Sequence, residues 1–133
     1  MLCDKILLIK RNKIEDQRGY FLKVIDGKEE FLPNHTGEVY ITKANPKEMK
    51  GGHYHPIAKE WFTIIKGQCE VKLKDIVSSE EMVIKLDEND AKTLFVPNNI
   101  AHAFYNISET EEFILLAYSD ELYQPSDTIM YSF

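Results

Sequence analysis

The sequence predicts an all-β domain built from about eight to ten short strands. Segments rich in β-branched and aromatic residues recur along the chain, and turn-forming residues separate them roughly every eight to twelve residues. No stretch longer than one or two turns carries a helical period. An architecture that closes its own sheet edges with this many strands is a small barrel or a jelly roll.

Length and charge limit the classes of protein that this chain belongs to. Its 133 residues are enough for one domain with a sizeable core, so we expect a single domain over residues 1–133. The net charge of −6 argues against a nucleic-acid partner, which needs a basic face. The chain contains no run of about 18 apolar residues, so no membrane span is predicted. The charged start is not typical of a secretory signal peptide. Cys3 and Cys69 form no CxxC pattern, which favours free thiols in a reducing cytoplasm.

Three segments of the first third are predicted as strands. Residues 6–9 form a short apolar run typical of an edge strand. Residues 20–25 are strand-like, and Asp26-Gly27 predicts a hairpin turn after them. Residues 38–43 alternate polar and apolar side chains, as a half-buried strand does.

The second half continues the strand pattern. Residues 69–74 alternate strictly, which predicts that Cys69, Val71 and Leu73 point inward. Further strands are expected over residues 82–86, 93–96 and 113–118. The tail carries Tyr131 and Phe133, and we expect it to pack on its own barrel or on a second copy of the chain.

The most informative segment is residues 50–67, which contains His53, His55 and Glu60. Two histidines spaced two apart on a strand point to the same face. Pro56 interrupts that strand, and residues 61–65 predict a returning strand. The chain therefore brings the Glu60 carboxylate back beside two imidazoles.

A second segment, residues 96–106, carries His102 after a Pro-Asn-Asn turn. Imidazole and carboxylate groups suit zinc, iron, manganese, nickel or copper. We therefore predict a divalent metal bound by four residues, His53, His55, Glu60 and His102. The alternative is that these are ordinary surface and core histidines and that no metal is bound.

The first of these segments resembles the first motif of the cupin family. That motif runs glycine, five residues, His-x-His, three or four residues, glutamate, six residues and glycine. The residues His53, His55, Glu60 and Gly67 match it, whereas Lys47 stands at the position of the first glycine.

The second segment resembles the second cupin motif at Pro97, His102 and Asn106. Ala91 and Asn99 replace its glycines, and asparagine tolerates the left-handed backbone conformation better than most residues. The resemblance implies a double-stranded β-helix, a small jelly-roll barrel with metal or substrate in its mouth.

Flanking segments extend the resemblance to the cupin epimerases and ketoisomerases of nucleotide-linked sugars. Residues 16–21 resemble their D-x-R-G-x-F opening, residues 50–55 their R/K-G-x-H-x-H segment, and residues 118–125 their Y-x-P ending. The chain is similar to the 3,5-epimerases, to the 3,4-ketoisomerases and to the cupin domain of capsular polysaccharide-synthesis proteins. The implied activity is isomerisation or epimerisation of a nucleoside-diphosphate-linked 4-keto-6-deoxy hexose, in surface polysaccharide biosynthesis.

This resemblance also implies roles for individual residues. His53 is either the base that removes a proton next to the ketone or a metal ligand, since one imidazole cannot serve freely as both. Tyr118 is the nearest candidate for the acid, with Tyr20, Tyr40, Tyr54 and Tyr105 as alternatives. For substrate binding, the implied contacts are Arg18, Lys50 and Tyr40.

Two other classes of function remain open from the sequence. One is a non-catalytic cupin that binds a sugar or small acid, or a structural partner domain. The other is a metal-dependent dioxygenase or small isomerase, since three histidines and a glutamate also suit iron or manganese. In each case we expect a homodimer, because exposed sheet edges must be covered; the first strand and the aromatic tail are the candidate contacts.

Overall fold

The computed structural model describes residues 1–35 and 37–133, and nearly all regular structure in that part of the chain is β. A single helical turn, α1 (Leu2–Lys5), precedes the first strand. The strands of the first half are β1 (Leu7–Lys10), β2 (Ile14–Asp16), β3 (Gly19–Phe21), β4 (Glu38–Ala44), β5 (Met49–Tyr54) and β6 (Glu60–Lys66). Those of the second half are β7 (Gln68–Asp75), β8 (Glu81–Asp87), β9 (Lys92–Val96), β10 (Ile100–Tyr105), β11 (Phe113–Ser119) and β12 (Ile129–Met130). A 3₁₀ turn, Pro125–Asp127, precedes β12.

Ten of these strands form two five-stranded antiparallel sheets. One has the order β1-β9-β6-β11-β4 and the other β12-β5-β10-β7-β8. Strands β2 and β3 pair only with each other. This arrangement confirms the predicted all-β jelly roll, although the short strands β2 and β12 raise the number of strands above the expected range.

The core lies between the two sheets, where alternate side chains of each strand meet. Cys69, Val71 and Leu73 on β7 are fully buried, as their alternation with charged residues predicts. From the facing sheet, Phe113 and Leu115 on β11 pack into the same cluster. This contiguous apolar core therefore fixes which faces of β7 and β11 point inward.

The prediction of a strand over residues 20–25 with a hairpin at Asp26-Gly27 is wrong. Strand β3 ends at Phe21 and forms an antiparallel hairpin with β2, with Arg18 in the turn. Asp26 accepts hydrogen bonds locally, and its own N–H donates to the Glu29 carboxylate, 2.6 Å away. These local bonds replace strand pairing, so the chain leaves the sheet before Asp26.

The glycine positions of the two motifs are left-handed turns. Gly67 has φ of 79°, and a Cβ there would lie 2.5 Å from the Glu112 carbonyl oxygen. Asn99 has φ of 62° and Lys47 has φ of 65°. Two of the three residues that replace motif glycines therefore keep the left-handed conformation, which is costlier for lysine than for asparagine, whereas Ala91 is not left-handed.

The C-terminal tail lies on its own barrel. Strand β12 pairs with β5, and the Tyr131 N–H donates to the Gly52 carbonyl at 2.9 Å. The Tyr131 and Phe133 rings contact each other with centroids 4.8 Å apart. Among the described residues, no helix has the length and hydropathy needed to cross a membrane.

The left-handed lysine gives a test of this backbone. We expect Lys47→Gly to raise the free energy of unfolding by about 0.5 to 1 kcal/mol, since relief of the left-handed strain exceeds the entropy that glycine adds to the unfolded chain. Urea denaturation measures the difference. The matched control is Lys85→Gly in the exposed interior of β8, which should lower stability by roughly 0.5 to 1 kcal/mol. A loss of stability in both variants would contradict the backbone described for Lys47.

Candidate active site

Four side chains meet at one end of the barrel, and both sheets contribute to them. Strands β5 and β10 are neighbours, and their register places His53 directly opposite His102. His55 follows the end of β5, and Glu60 begins β6 in the facing sheet. The turn through residues 55–59 therefore carries the chain from one sheet to the other and brings Glu60 to the imidazoles.

The geometry of the cluster is close. The nearest ring nitrogens of His53, His55 and His102 lie within 4.8 Å of one another. The Glu60 Oε1 atom lies 2.9 Å from His55 Nε2 and 3.4 Å from His102 Nε2. The hydroxyl of Tyr40 donates to the other carboxylate oxygen at 2.6 Å. Glu60 is 3% exposed, so the carboxylate has little contact with solvent and depends on these neighbours.

Two of the imidazoles have one nitrogen fixed by the backbone. His55 Nδ1 lies 2.8 Å from the Asp127 carbonyl oxygen, and His102 Nδ1 lies 3.0 Å from the Ile100 carbonyl oxygen. A carbonyl only accepts, so each Nδ1 carries the proton and each neutral ring presents a lone pair at Nε2. Both Nε2 atoms face Glu60.

The contact between His55 and Glu60 is short but is not aligned as a hydrogen bond. His55 Nε2 and Glu60 Oε1 are 2.9 Å apart, yet both are buried atoms without a properly oriented partner. Two lone pairs at this distance repel. A proton on His55 or a cation shared by both atoms removes that repulsion.

Burial and neighbouring groups shift the pKa values of His53, His55, Glu60 and Tyr40 in different directions. Burial lowers the pKa of His53 to about 4, and the neighbouring His102 and His55 add to the shift. Burial alone would lower the pKa of His55 and raise that of Glu60. The contact with Glu60 outweighs burial and raises the pKa of His55, and the contacts with His102 and His55 outweigh it and lower the pKa of Glu60. Burial and the Glu60 charge raise the pKa of Tyr40. Near neutral pH, His53 is therefore an unprotonated base, Glu60 is ionised and Tyr40 keeps its proton.

The donor set fits a divalent metal. Two nitrogens bound to one zinc ion at about 2.1 Å are at most roughly 4.2 Å apart. The imidazole separations of up to 4.8 Å require only a small inward rotation of the rings. Backbone acceptors already fix Nδ1 of His55 and His102, as is usual for histidines that bind metals. The predicted ligands are thus brought together, and the metal itself stays a prediction.

A pocket of about 260 Å³ opens onto this cluster. Its floor includes Tyr40, His53, His55 and Glu60. Its outer wall comes from the segment after β11, which we call the C-terminal strap (residues 120–128). The described residues that line the pocket include acidic side chains but neither lysine nor arginine.

Tyr118, the predicted acid, does not reach this pocket. In the register of β4, β11 and β6, Tyr40 pairs with Ala117, which faces the core, whereas Tyr118 pairs with Trp61 on the outer face. Tyr118 lines a separate cavity of about 400 Å³ with Trp61. The structure therefore does not support Tyr118 as the acid of this site, and Tyr40 is the tyrosine beside the cluster.

The predicted substrate contacts also include one residue that lines the pocket and two that do not. Tyr40 lines the pocket, as expected of a substrate-binding residue. Arg18 lies on the β2–β3 hairpin with its side chain 90% exposed and paired with Asp16 at 2.6 Å. Lys50 is exposed on β5. Neither of these two cations lines the pocket in this chain.

Sequence reasoning missed the acidic residues that build the wall of the pocket. Glu38 starts β4 in register with Ser119, and Asp127 lies two residues after Pro125. Both line the pocket. The motif ending at Pro125 marked the strap as noteworthy, but no pattern of residues indicated that a later aspartate turns back to the histidines.

The chain belongs to the polysaccharide biosynthesis C-terminal domain family, whose model matches residues 14–131. A relative by sequence is the spore coat polysaccharide biosynthesis protein SpsL of Bacillus subtilis. It is 26% identical over 114 residues, which cover 82% of this chain and 75% of SpsL.

Solved structures show the same fold. A dTDP sugar isomerase from Desulfovibrio desulfuricans matches with a TM-score of 0.85 at 16% identity, over 96% of this chain and 83% of that chain. A mutant of QdtA, a 3,4-ketoisomerase from Thermoanaerobacterium thermosaccharolyticum in complex with TDP-4-keto-6-deoxyglucose, matches with a TM-score of 0.77 at 23% identity. That match covers 94% of this chain and 86% of QdtA.

Proposed function

We propose that the protein is an isomerase or epimerase of a nucleoside-diphosphate-linked 4-keto-6-deoxy hexose, in surface polysaccharide biosynthesis. The observation that carries the proposal is the pocket in which the His53 imidazole lies with Glu60 and Tyr40. Burial lowers the pKa of His53, which favours the unprotonated form that a base requires. Membership in a polysaccharide biosynthesis family supports it. The likeness in fold to a dTDP sugar isomerase and to a ketoisomerase supports the same substrate class.

The proposed reaction is proton transfer next to the sugar ketone. His53 removes a proton from the neighbouring carbon, and the electron pair of that C–H bond forms an enolate with its charge on the former ketone oxygen. A proton returned to the same carbon from the other face gives an epimer. A proton returned to the former carbonyl carbon, after transfer between the two oxygens, gives the ketoisomer.

The second group of the reaction is a proton donor near the enolate. Tyr40 replaces Tyr118 in this role, since it lies in the pocket and its raised pKa keeps it protonated. Its hydroxyl is held by Glu60 at 2.6 Å, which fixes its position beside the cluster. When the O–H bond turns from Glu60 to the substrate oxygen, the hydroxyl stabilises the charge that develops there.

We also propose that His53, His55, Glu60 and His102 bind a divalent metal, with zinc, manganese, iron and nickel as the candidates. Such an ion would polarise the ketone and stabilise the enolate charge. If it is bound through His53, this imidazole is a ligand and another group accepts the proton. The metal content of the protein separates the two roles.

The size of the pocket suggests which part of the substrate it holds. Pockets for drug-sized ligands have volumes of roughly 300–1,000 Å³. At about 260 Å³ this pocket suits one sugar ring. The diphosphate then lies outside it, where a cation is needed, and we propose that a second copy of the chain supplies that cation from Arg18 or Lys50.

A homodimer also covers apolar surface that the single chain leaves exposed. Strand β4 is the edge of its sheet, and its Val39 and Ile41 side chains are 67% and 64% exposed. The separate β2–β3 hairpin exposes Tyr20 and Phe21. We place the dimer contact at these surfaces and at the free edge of β1, while the tail already packs on its own chain. The cytoplasmic location expected from the free thiols stays a prediction.

The metal proposal predicts about one equivalent of transition metal in protein purified without chelator. His102→Asn should lower the affinity for zinc by 10-fold or more, because it removes a ligand and leaves Glu60 with fewer partners. The matched control, His35→Asn, changes an exposed histidine and should bind zinc like the wild type. Elemental analysis and chelator competition measure both quantities; less than about a tenth of an equivalent of any transition metal would contradict metal binding.

The proposed reaction predicts exchange of solvent deuterium into a nucleotide-linked 4-keto-6-deoxy sugar, because the proton that leaves is replaced from solvent. His53→Asn should abolish the exchange detected by NMR or mass spectrometry. If His53 is only the base, this variant keeps its metal; if His53 is a ligand, it loses metal affinity.

A matched tyrosine pair tests the proton donor. Tyr40→Phe should slow exchange or product formation by about 100-fold or more, the usual effect of losing a general acid. Tyr118→Phe should react like the wild type, since its ring lies on the outer face of the sheet. Wild-type protein that exchanges no proton in a panel of such sugars, with and without zinc or manganese, would overturn the enzyme proposal and favour a binding domain.

The dimer proposal predicts twice the chain mass by light scattering at micromolar concentration. The double variant Val39→Lys and Ile41→Lys should shift the protein to monomer, because it places charge on the proposed contact. Val77→Lys, in an exposed turn, is the control and should stay dimeric. A monomer mass for the wild type would refute the dimer.

A further inference from the structure

The turn between His55 and Glu60 has no regular structure of its own, yet it sets the distance between two members of the cluster. Residues 55–59 lie between β5 and β6. The backbone N–H groups of Ile57, Ala58 and Lys59 are satisfied by side chains of the C-terminal strap.

Asp127 supplies three of these contacts from a single residue. Its Oδ1 atom accepts from the Ile57 N–H at 2.7 Å, and its Oδ2 atom accepts from the Ala58 N–H at 3.0 Å. Its backbone carbonyl accepts from His55 Nδ1 at 2.8 Å. The residue is 8% exposed, so water does not readily replace these bonds.

Two other side chains hold the rest of the turn. Asp120 accepts from the Lys59 N–H at 2.8 Å and donates its own N–H to the Lys59 carbonyl. Asn98 donates its side-chain amide to the Pro56 carbonyl at 3.1 Å. Of Asp127, Asp120 and Asn98, only Asp127 contacts both the turn and an imidazole of the cluster.

We propose that Asp127 is a positioning residue for the candidate active site. It holds His55 as the Nδ1–H tautomer, with the Nε2 lone pair directed at the cluster, and it fixes the turn that delivers Glu60. Because one residue does both, displacing its carboxylate changes the distance between His55 and Glu60 together with the orientation of the ring. The proposal rests on the proposed function only in treating the cluster as the catalytic centre.

Asp127 also links the cluster to the wall of the pocket. It lies on the same strap as Leu122 and Tyr123, which line the pocket mouth. The Tyr123 N–H donates to the Glu38 carboxylate at 2.6 Å, which ties the strap to β4. A ligand that contacts the strap therefore contacts the element that orients His55.

The test compares two buried aspartates that form similar turn contacts. Asp75 is 1% exposed and accepts from the Val77 and Ser78 N–H groups, but it does not line the pocket. Asp127→Ala removes both carboxylate contacts to the turn but keeps the backbone carbonyl that accepts from His55 Nδ1. We expect it to weaken zinc binding by about 10-fold or more, because the turn and that carbonyl are no longer held in place. Asp127→Asn keeps one acceptor oxygen and should show a smaller loss. Asp75→Asn should bind zinc like the wild type even though it loses stability.

A second readout needs neither metal nor substrate. Long-range ¹H–¹⁵N NMR of zinc-free protein, at a pH where the imidazoles are neutral, reports which nitrogen of His55 carries the proton. We expect the Nδ1–H tautomer in the wild type and in Asp75→Asn. In the Asp127 variants we expect a mixture of tautomers, because loss of the carboxylate contacts lets the backbone carbonyl of residue 127 move away from His55 Nδ1. If Asp127→Ala does not fold, Asp127→Asn carries the comparison.

The result that overturns the inference is a folded Asp127 variant that retains both the wild-type zinc affinity and the Nδ1–H tautomer of His55. Equal losses in the Asp75 and Asp127 variants would also overturn it, since they would reflect stability alone. Failure of the wild type to exchange substrate protons would refute the proposed function and leave these two measurements unaffected.

Discussion

The buried charge of Glu60 is the constraint on which this end of the barrel depends. A carboxylate that loses its water costs several kcal/mol unless partners replace that water. Tyr40 on β4 donates to one oxygen of Glu60, and His55 and His102, from the end of β5 and from β10, face the other. That second oxygen needs a proton on an imidazole or a shared cation, so the buried charge depends on the register of strands from both sheets.

Each of the two sequence motifs contains residues of the candidate site and residues that stabilise the surrounding loops. In the second motif His102 faces the cluster, whereas Asn106 is buried and donates its amide to the carbonyls of Ala44, Asn45 and Glu111. Asn106 thus closes the loops at the other end of β10. Gly67 does similar structural work in the first motif, because a side chain there would collide with the Glu112 carbonyl. The spacing of each motif therefore reflects both the histidine and glutamate cluster and the turns that hold it in place.

The sequence predicted the fold and the convergence of His53, His55, Glu60 and His102, because both follow from local patterns. Alternation fixed the inward face of β7, and a proline between two strands indicated the turn that returns Glu60. The face of the sheet on which Tyr118 lies could not be predicted in the same way. Strand β11 is an uninterrupted apolar run, so its sequence contains no alternation to separate the inward from the outward face.

Other differences from the expectations have non-local causes. Arg18 and Lys50 match family segments but do not line the pocket of their own chain, because whether a surface cation reaches a pocket depends on the path of the whole chain. Their role in substrate binding stays a prediction. The strand expected over residues 20–25 failed because the Glu29 carboxylate binds the Asp26 N–H in the folded protein. Asp127 was missed because it lies about 70 residues from the turn that it holds.

The charge distribution limits how a nucleotide-linked sugar can bind. The chain carries a net charge of −6, and the pocket wall includes Glu38 and Glu121 without a lysine or arginine from the described residues. A diphosphate placed there would face like charges and lose its hydration, which is unfavourable. A neutral sugar ring meets neither penalty and matches the pocket volume. The anionic part of such a substrate therefore has to lie beyond the strap. The sugar and the nucleotide are then recognised by different surfaces.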